Sequence, residues 1–132
     1  MAKTRTIRQS DTSFEEISQL IWKHLEERDW LGNSPRGYAT SIAIEAGELL
    51  EHYQWSEKAV GDKQALADEL ADILIYCFQY AQRTDIDMTQ AIKQKLKKAA
   101  QKYPAENFKN RSKADRHQNW QEALRAYRTE KT

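Results

Sequence analysis

Residues 44–55, IEAGELLEHYQW, decide how this chain is read. Glu45, Glu48 and Glu51 recur at intervals of three among residues that favour helix. Twenty residues beyond Glu48 comes ELADILIYCF, residues 69–78, which sets Glu69 and Asp72 against an almost unbroken apolar run. Side chains three apart share a helix face. The spacer has room for a helix end, a loop and a helix start, so two antiparallel helices can bring the acid pairs face to face. An unpaired carboxylate buried between Leu70, Ala71, Ile73, Leu74 and Ile75 would be costly or forced to stay protonated. A divalent cation among four carboxylates removes that conflict, and an all-oxygen donor set selects a hard ion, Mg²⁺ or Mn²⁺. Glu51 needs no such role, because isolated i, i+3 glutamates are common on exposed helix faces.

Working outward, start and stop signals outline further helices. Ser13 with Glu16 is a capping box, and Phe14, Ile17, Ile21 and Leu25 follow as an apolar stripe that fades at Gly32-Asn33. Ser34-Pro35 opens a second helix that should run to about Trp55. Asp62 can cap a third, to about Arg83, and a break at 85–87 precedes a fourth over about 88–102. Tyr103-Pro104 stops it. Ser112 with Asp115 opens a last helix to about Arg128, with Trp120, Leu124 and Tyr127 as its apolar stripe. No segment alternates with the period of a half-buried strand. The expected fold is all-α: a single domain with a four-helix bundle core, a loose polar arm over residues 1–11 and a helical C-terminal extension over 105–132.

With 132 residues, 4 Gly and 2 Pro, the chain fits one domain of long regular elements. Its net charge of +1 gives no bulk case for nucleic acid, yet the charge is segregated. Residues 1–87 carry 9 Lys/Arg against 16 Asp/Glu, and residues 88–132 carry 12 against 4. A metal-bound polyphosphate would use both parts. The single Cys77 fits a small hydrophobe in a reducing compartment. The basic N-terminus lacks the apolar stretch of a signal peptide, and the longest apolar run, ILIYCF, is too short to span a bilayer. The expected setting is cytoplasmic. None of His24, His52 and His117 follows a Glu by three residues, so a di-iron site of the Glu-x-x-His kind is unsupported. His52, four after Glu48, reads as a packed or rim histidine.

Taken together, IEAGELLEHYQW, DELADILIYCFQYA and KYP (102–104) resemble the MazG-like nucleotide pyrophosphohydrolases of the all-α NTP pyrophosphatases, nearest to their dCTP pyrophosphatase group. The likeness runs from ERDW (27–30) to KYP. It implies hydrolysis of a nucleoside triphosphate to monophosphate and pyrophosphate, with Glu45, Glu48, Glu69 and Asp72 as Mg²⁺ ligands and catalytic carboxylates. It implies that Trp30 and Trp55 hold the base, where stacking on indole contributes about 1–3 kcal/mol. Tyr76, one turn after Asp72, would lie under the sugar, and Lys95, Lys102 and Tyr103 would meet phosphates. Relatives commonly carry an asparagine four or five residues before the KYP proline, where Ala99 or Ala100 stands here; Asn107 and Asn110 are the nearest substitutes. The resemblance also implies a homodimer or homotetramer, with the C-terminal helix as a candidate contact. A non-catalytic nucleotide-binding bundle would bind metal and nucleotide without turnover. A nucleic-acid module would show salt-sensitive affinity through the basic last third of the chain.

Overall fold

The computed structural model describes residues 13–130. The expectation for the arm at residues 1–11 lies outside them. The described residues form five α-helices and one short 3₁₀ turn, with no strand among them. The helices are α1 (Phe14–Glu26), α2 (Pro35–Glu51), α3 (Lys63–Thr84), α4 (Met88–Lys102) and α5 (Lys113–Glu130). They fall into two compact units divided between Met88 and Thr89.

In the first unit the helix starts form as the sequence dictates. Ser13 Oγ accepts the Glu16 N–H while Glu16 accepts the Ser13 N–H, which satisfies two of the donors that open a helix. Ser34 caps α2 through the Gly37 N–H, and Asp62 caps α3 through the Ala65 N–H at 2.9 Å. α3 ends on Asp85, whose left-handed backbone (φ 57°) closes the helix before the 85–87 break. α2 and α1 both pack on α3. Among the described residues, Leu25, Tyr38, Phe78 and Ala81 are the buried hydrophobic ones, and the Phe14 ring meets Phe78 edge-on at 5.5 Å. Gln82 Nε2 donates to the Ser18 carbonyl (2.7 Å) and hydroxyl (2.8 Å), tying α3 to α1.

Two expectations need correction here. α2 stops at Glu51, not near Trp55. The chain after it folds back: the Val60 N–H bonds the His52 carbonyl at 2.9 Å, and the Gly61 N–H bonds the His52 ring. Further helical turns would lose both bonds. The apolar run of α3 is also less covered than its composition suggests. Phe78 is buried, but Leu70, Leu74 and Ile75 are exposed.

The second unit holds α4, the 3₁₀ turn Ala105–Asn107 and α5. Tyr103-Pro104 ends α4, and Ser112 caps α5 through the Asp115 N–H while donating to the Asp115 carboxylate at 2.7 Å. Lys102 Nζ lies 3.9 Å from the Tyr127 ring centre and 5.0 Å from that of Tyr103, a cation–π pairing. No helix among the described residues is long and apolar enough to cross a membrane.

Candidate functional site

The contact between the end of α2 and the second turn of α3 shows that the two helices run antiparallel. Their acid pairs meet as the spacing predicted, with one exception. Oxygen atoms of Glu45, Glu48 and Glu69 lie within 4.8 Å of one another. Asp72, one turn further along α3, stays outside that group, although its charge is felt at Glu45. Glu45 and Glu69 are half-buried, whereas Glu48 and Asp72 are exposed. The arrangement is therefore a partly solvated cluster rather than four acids sunk in oil.

Glu45 shows the electrostatic consequence. Partial burial, then the charge of Glu48, a hydrogen bond with Glu48, and the charges of Asp72 and Glu69 all push its carboxyl above the ordinary range. Like charges this close favour a shared proton or a shared cation. Three carboxylate oxygens on two rigid helices fit a hard divalent ion. They suit zinc poorly, since no cysteine or second histidine joins them.

His52, read as a packed or rim histidine, lies packed beside this cluster. The Gly61 N–H donates to His52 Nδ1 at 3.1 Å, so Nδ1 accepts and the ring proton belongs on Nε2. Nε2 faces Glu69 Oε1 at 3.4 Å. Gly61 has to be glycine for this to happen: a Cβ there would stand 2.5 Å from His52 Cε1 and 2.6 Å from Nδ1. The available signal was Gly61 itself, nine residues after a histidine that ends a helix beside the acids.

Beside the carboxylates opens a cavity of about 690 Å³. Asp72 and Tyr76 of α3 stand on its wall with Trp30, His24, Tyr38 and Gln79. Trp30 and Tyr76, both expected at the nucleotide, thus share one cavity with a carboxylate. Trp55 does not join them. Because α2 ends early, Trp55 falls in the following loop and is 84% exposed, off that wall. The burial of Tyr38 and Gln79 at the cavity went unread in the sequence. Lys95, Lys102 and Tyr103 sit in the second unit, where all three line one cavity with Tyr127. Cys77 is half-buried, and burial pushes its thiol up, which makes it a weak nucleophile.

The sequence pattern of the MazG-like family matches residues 40–116. That stretch contains all four acids. The chain is 34% identical over 103 residues to the mouse protein named dCTP pyrophosphatase 1, covering 71% of this chain and 61% of that one. It is 31% identical over 104 residues to the human protein of the same name, covering 72% and 61%. It is also similar to a crystal structure of a pyrophosphatase from Archaeoglobus fulgidus, at 31% identity and a TM-score of 0.65, covering 75% of this chain and 99% of that one. The chain thus spans 61% of the length of the mammalian relatives it matches.

Proposed function

This chain belongs to the MazG-like family, and from that premise we propose that it is a metal-dependent nucleoside triphosphate pyrophosphohydrolase. It hydrolyses deoxynucleoside triphosphates of the dCTP type, or modified pyrimidine counterparts, to monophosphate and pyrophosphate, and so cleans the nucleotide pool of the cytoplasm. The observation that carries the reading is the convergence of Glu45, Glu48 and Glu69 oxygens within 4.8 Å, next to a cavity walled by Asp72, Tyr76 and Trp30. The mammalian relatives named dCTP pyrophosphatase 1 supply the substrate class.

In this reading Glu45, Glu48, Glu69 and Asp72 would hold Mg²⁺. When bound, the ion neutralises phosphate charge and acts as a Lewis acid. A glutamate of the set orients the attacking water and takes its proton as the bond to the α-phosphorus forms. Pyrophosphate leaves with the pair of electrons from the α–β bridge bond. His52 holds Glu69 in one orientation. Trp30 stacks on the base and Tyr76 lies against the sugar. Lys95, Lys102 and Tyr103 meet the phosphates.

We also read the working form as a homodimer or homotetramer. Trp55 at 84%, Val60 at 82% and Leu50 at 68% exposure leave apolar surface beside the acid cluster that a second copy would cover. Trp55 would then reach a base only from a neighbouring subunit. Light scattering of the purified chain tests this; a monomer at micromolar concentration would refute it.

The activity is tested with a panel of dNTPs and NTPs in Mg²⁺, reading pyrophosphate. Release from a pyrimidine dNTP that EDTA abolishes is the expected result. Binding of Mg²⁺ and nucleotide with no turnover would instead establish a non-catalytic bundle.

A further inference from the structure

Gln79 is the buried polar side chain of the described residues, 7% exposed. It lies on α3 three residues after Tyr76 and seven after Asp72, so the three occupy one helix face. All three line the cavity that Trp30 also walls. No hydrogen bond of the Gln79 amide is found among the described residues. No fully sealed polar side-chain atom lacks a partner among those residues either. The unbonded amide therefore opens on cavity space rather than being shut into packing. Gln79 also touches a smaller cavity of about 280 Å³. The polar groups there, Gln82 and Arg83, are already bonded to Ser18 and to the Asn33 carbonyl. An amide that faces the cavity with no protein partner keeps its donor and acceptor available for a ligand that enters there.

We propose that Gln79 reads the hydrogen-bonding edge of the pyrimidine base and thereby sets base preference. This rests on the nucleotide-hydrolysis reading above and deepens it. α3 acts as a ruler. Glu69 and Asp72 mark the phosphate end, Tyr76 the sugar, and Gln79 the base. Seven residues of helix separate Asp72 from Gln79, about 10 Å of axial rise, the length scale of a nucleoside. The side chain suits the task, because an amide presents a donor and an acceptor side by side. Against cytosine, Oε1 accepts from the 4-amino group while Nε2 donates to N3. Trp30 supplies a stacking face that any base can use, so discrimination has to come from the edge. Among the other polar groups on the wall, the exposed Asp29 carboxylate can accept but not donate, so alone it cannot pair with both the amino group and N3 of cytosine. Asn33 Oδ1 is taken by the Ser34 N–H at 2.9 Å, and the His24 ring lies edge-on to Trp30 at 6.2 Å between ring centres.

The test compares dCTP with the deoxynucleoside triphosphate of 2-pyrimidinone, which lacks only the 4-amino group. The wild-type chain and Gln79→Met are assayed with Mg²⁺ for pyrophosphate release. The expected wild-type preference for dCTP in kcat/KM is about 10- to 100-fold. Gln79→Met should bring the ratio close to one, mostly through a raised KM for dCTP, because its side chain is of similar length and preserves the packing. Circular dichroism confirms that the variant is folded, and Gln79→Leu replaces it if it is not. A wild-type ratio near one, which depends on no variant, overturns the proposal. So does a ratio that the folded variant leaves unchanged. If the wild type releases no pyrophosphate from any nucleotide, the underlying activity falls instead, an outcome distinguishable from both.

Discussion

The two units of this chain are built differently. Through Met88 the sequence is acidic, and the five residues that are buried among those described all lie there: Leu25, Tyr38, Phe78, Gln79 and Ala81. From Thr89 onward it is basic, and none of α4, the 3₁₀ turn or α5 has a buried residue. The second unit is held by contacts at its surface. Lys102 sits over Tyr127, the Tyr103 and Phe108 rings meet edge-on at 6.0 Å, and Asn119 donates to the Asn107 carbonyl at 2.6 Å. The charge boundary and the structural boundary thus nearly coincide. On the proposed function, metal holding falls to the unit with a core, where ligands gain rigid supports, and the cationic unit can be looser because long lysines flex.

The sharpest way to break this comparison is at the acid cluster. Glu69→Gln should lower kcat by about 10²- to 10³-fold, equivalent to roughly 3–4 kcal/mol of lost charge stabilisation, with helicity unchanged. Equal turnover would remove the first unit's claim to the chemistry. The next effect in size is on stability. Phe78→Ala should cost about 3–5 kcal/mol in urea unfolding. Tyr127→Ala in the second unit should cost about 1 kcal/mol, the scale of an exposed cation–π contact. If the two losses matched, the contrast in packing would have no energetic meaning.

His52→Ala should reduce Mg²⁺ affinity by about 10- to 100-fold, as loss of a group that orients a ligand does. Calorimetric titration reads it, and His52→Gln, which can still donate to Glu69, should recover part. A pH series sharpens the same point. The folded state raises the Glu45 pKa above its ordinary value of 4.5. In that window the folded chain therefore binds more protons than the unfolded chain, and the stability of the metal-free protein falls as pH rises. If the proposed site holds Mg²⁺, it does so with the carboxylates ionised, so the shift in melting temperature on adding Mg²⁺ should be larger at pH 7.5 than at pH 4.5. Equal shifts would mean that the ion sits elsewhere. The smallest expected effect is Ser13→Ala, about 1 kcal/mol from one helix cap.

Much of this was legible from residue order. Capping residues act on neighbours three positions away, so Ser13, Ser34, Asp62 and Ser112 announced their helices, and Tyr103-Pro104 announced a stop. The E-x-x-E and E-x-x-D pairs announced a shared face, and KYP with the flanking aromatics announced the family. The end of α2 was not legible. It depends on a hydrogen bond between His52 and Gly61, nine residues apart, and no local propensity encodes such a bond. The resemblance gives Trp30 and Trp55 the same role, yet one walls a cavity and the other is exposed to solvent.

The sequence by itself determined the helical content, the helix starts and the pairing of acids along α2 and α3, because these follow from short-range periodicity and side-chain chemistry. Tertiary structure alone decided that three carboxylates cluster while Asp72 turns to the cavity. It also decided that His52 braces Glu69 and that the Gln79 amide is buried without a partner. Those outcomes depend on distances between residues far apart in the chain, which packing fixes and periodicity cannot.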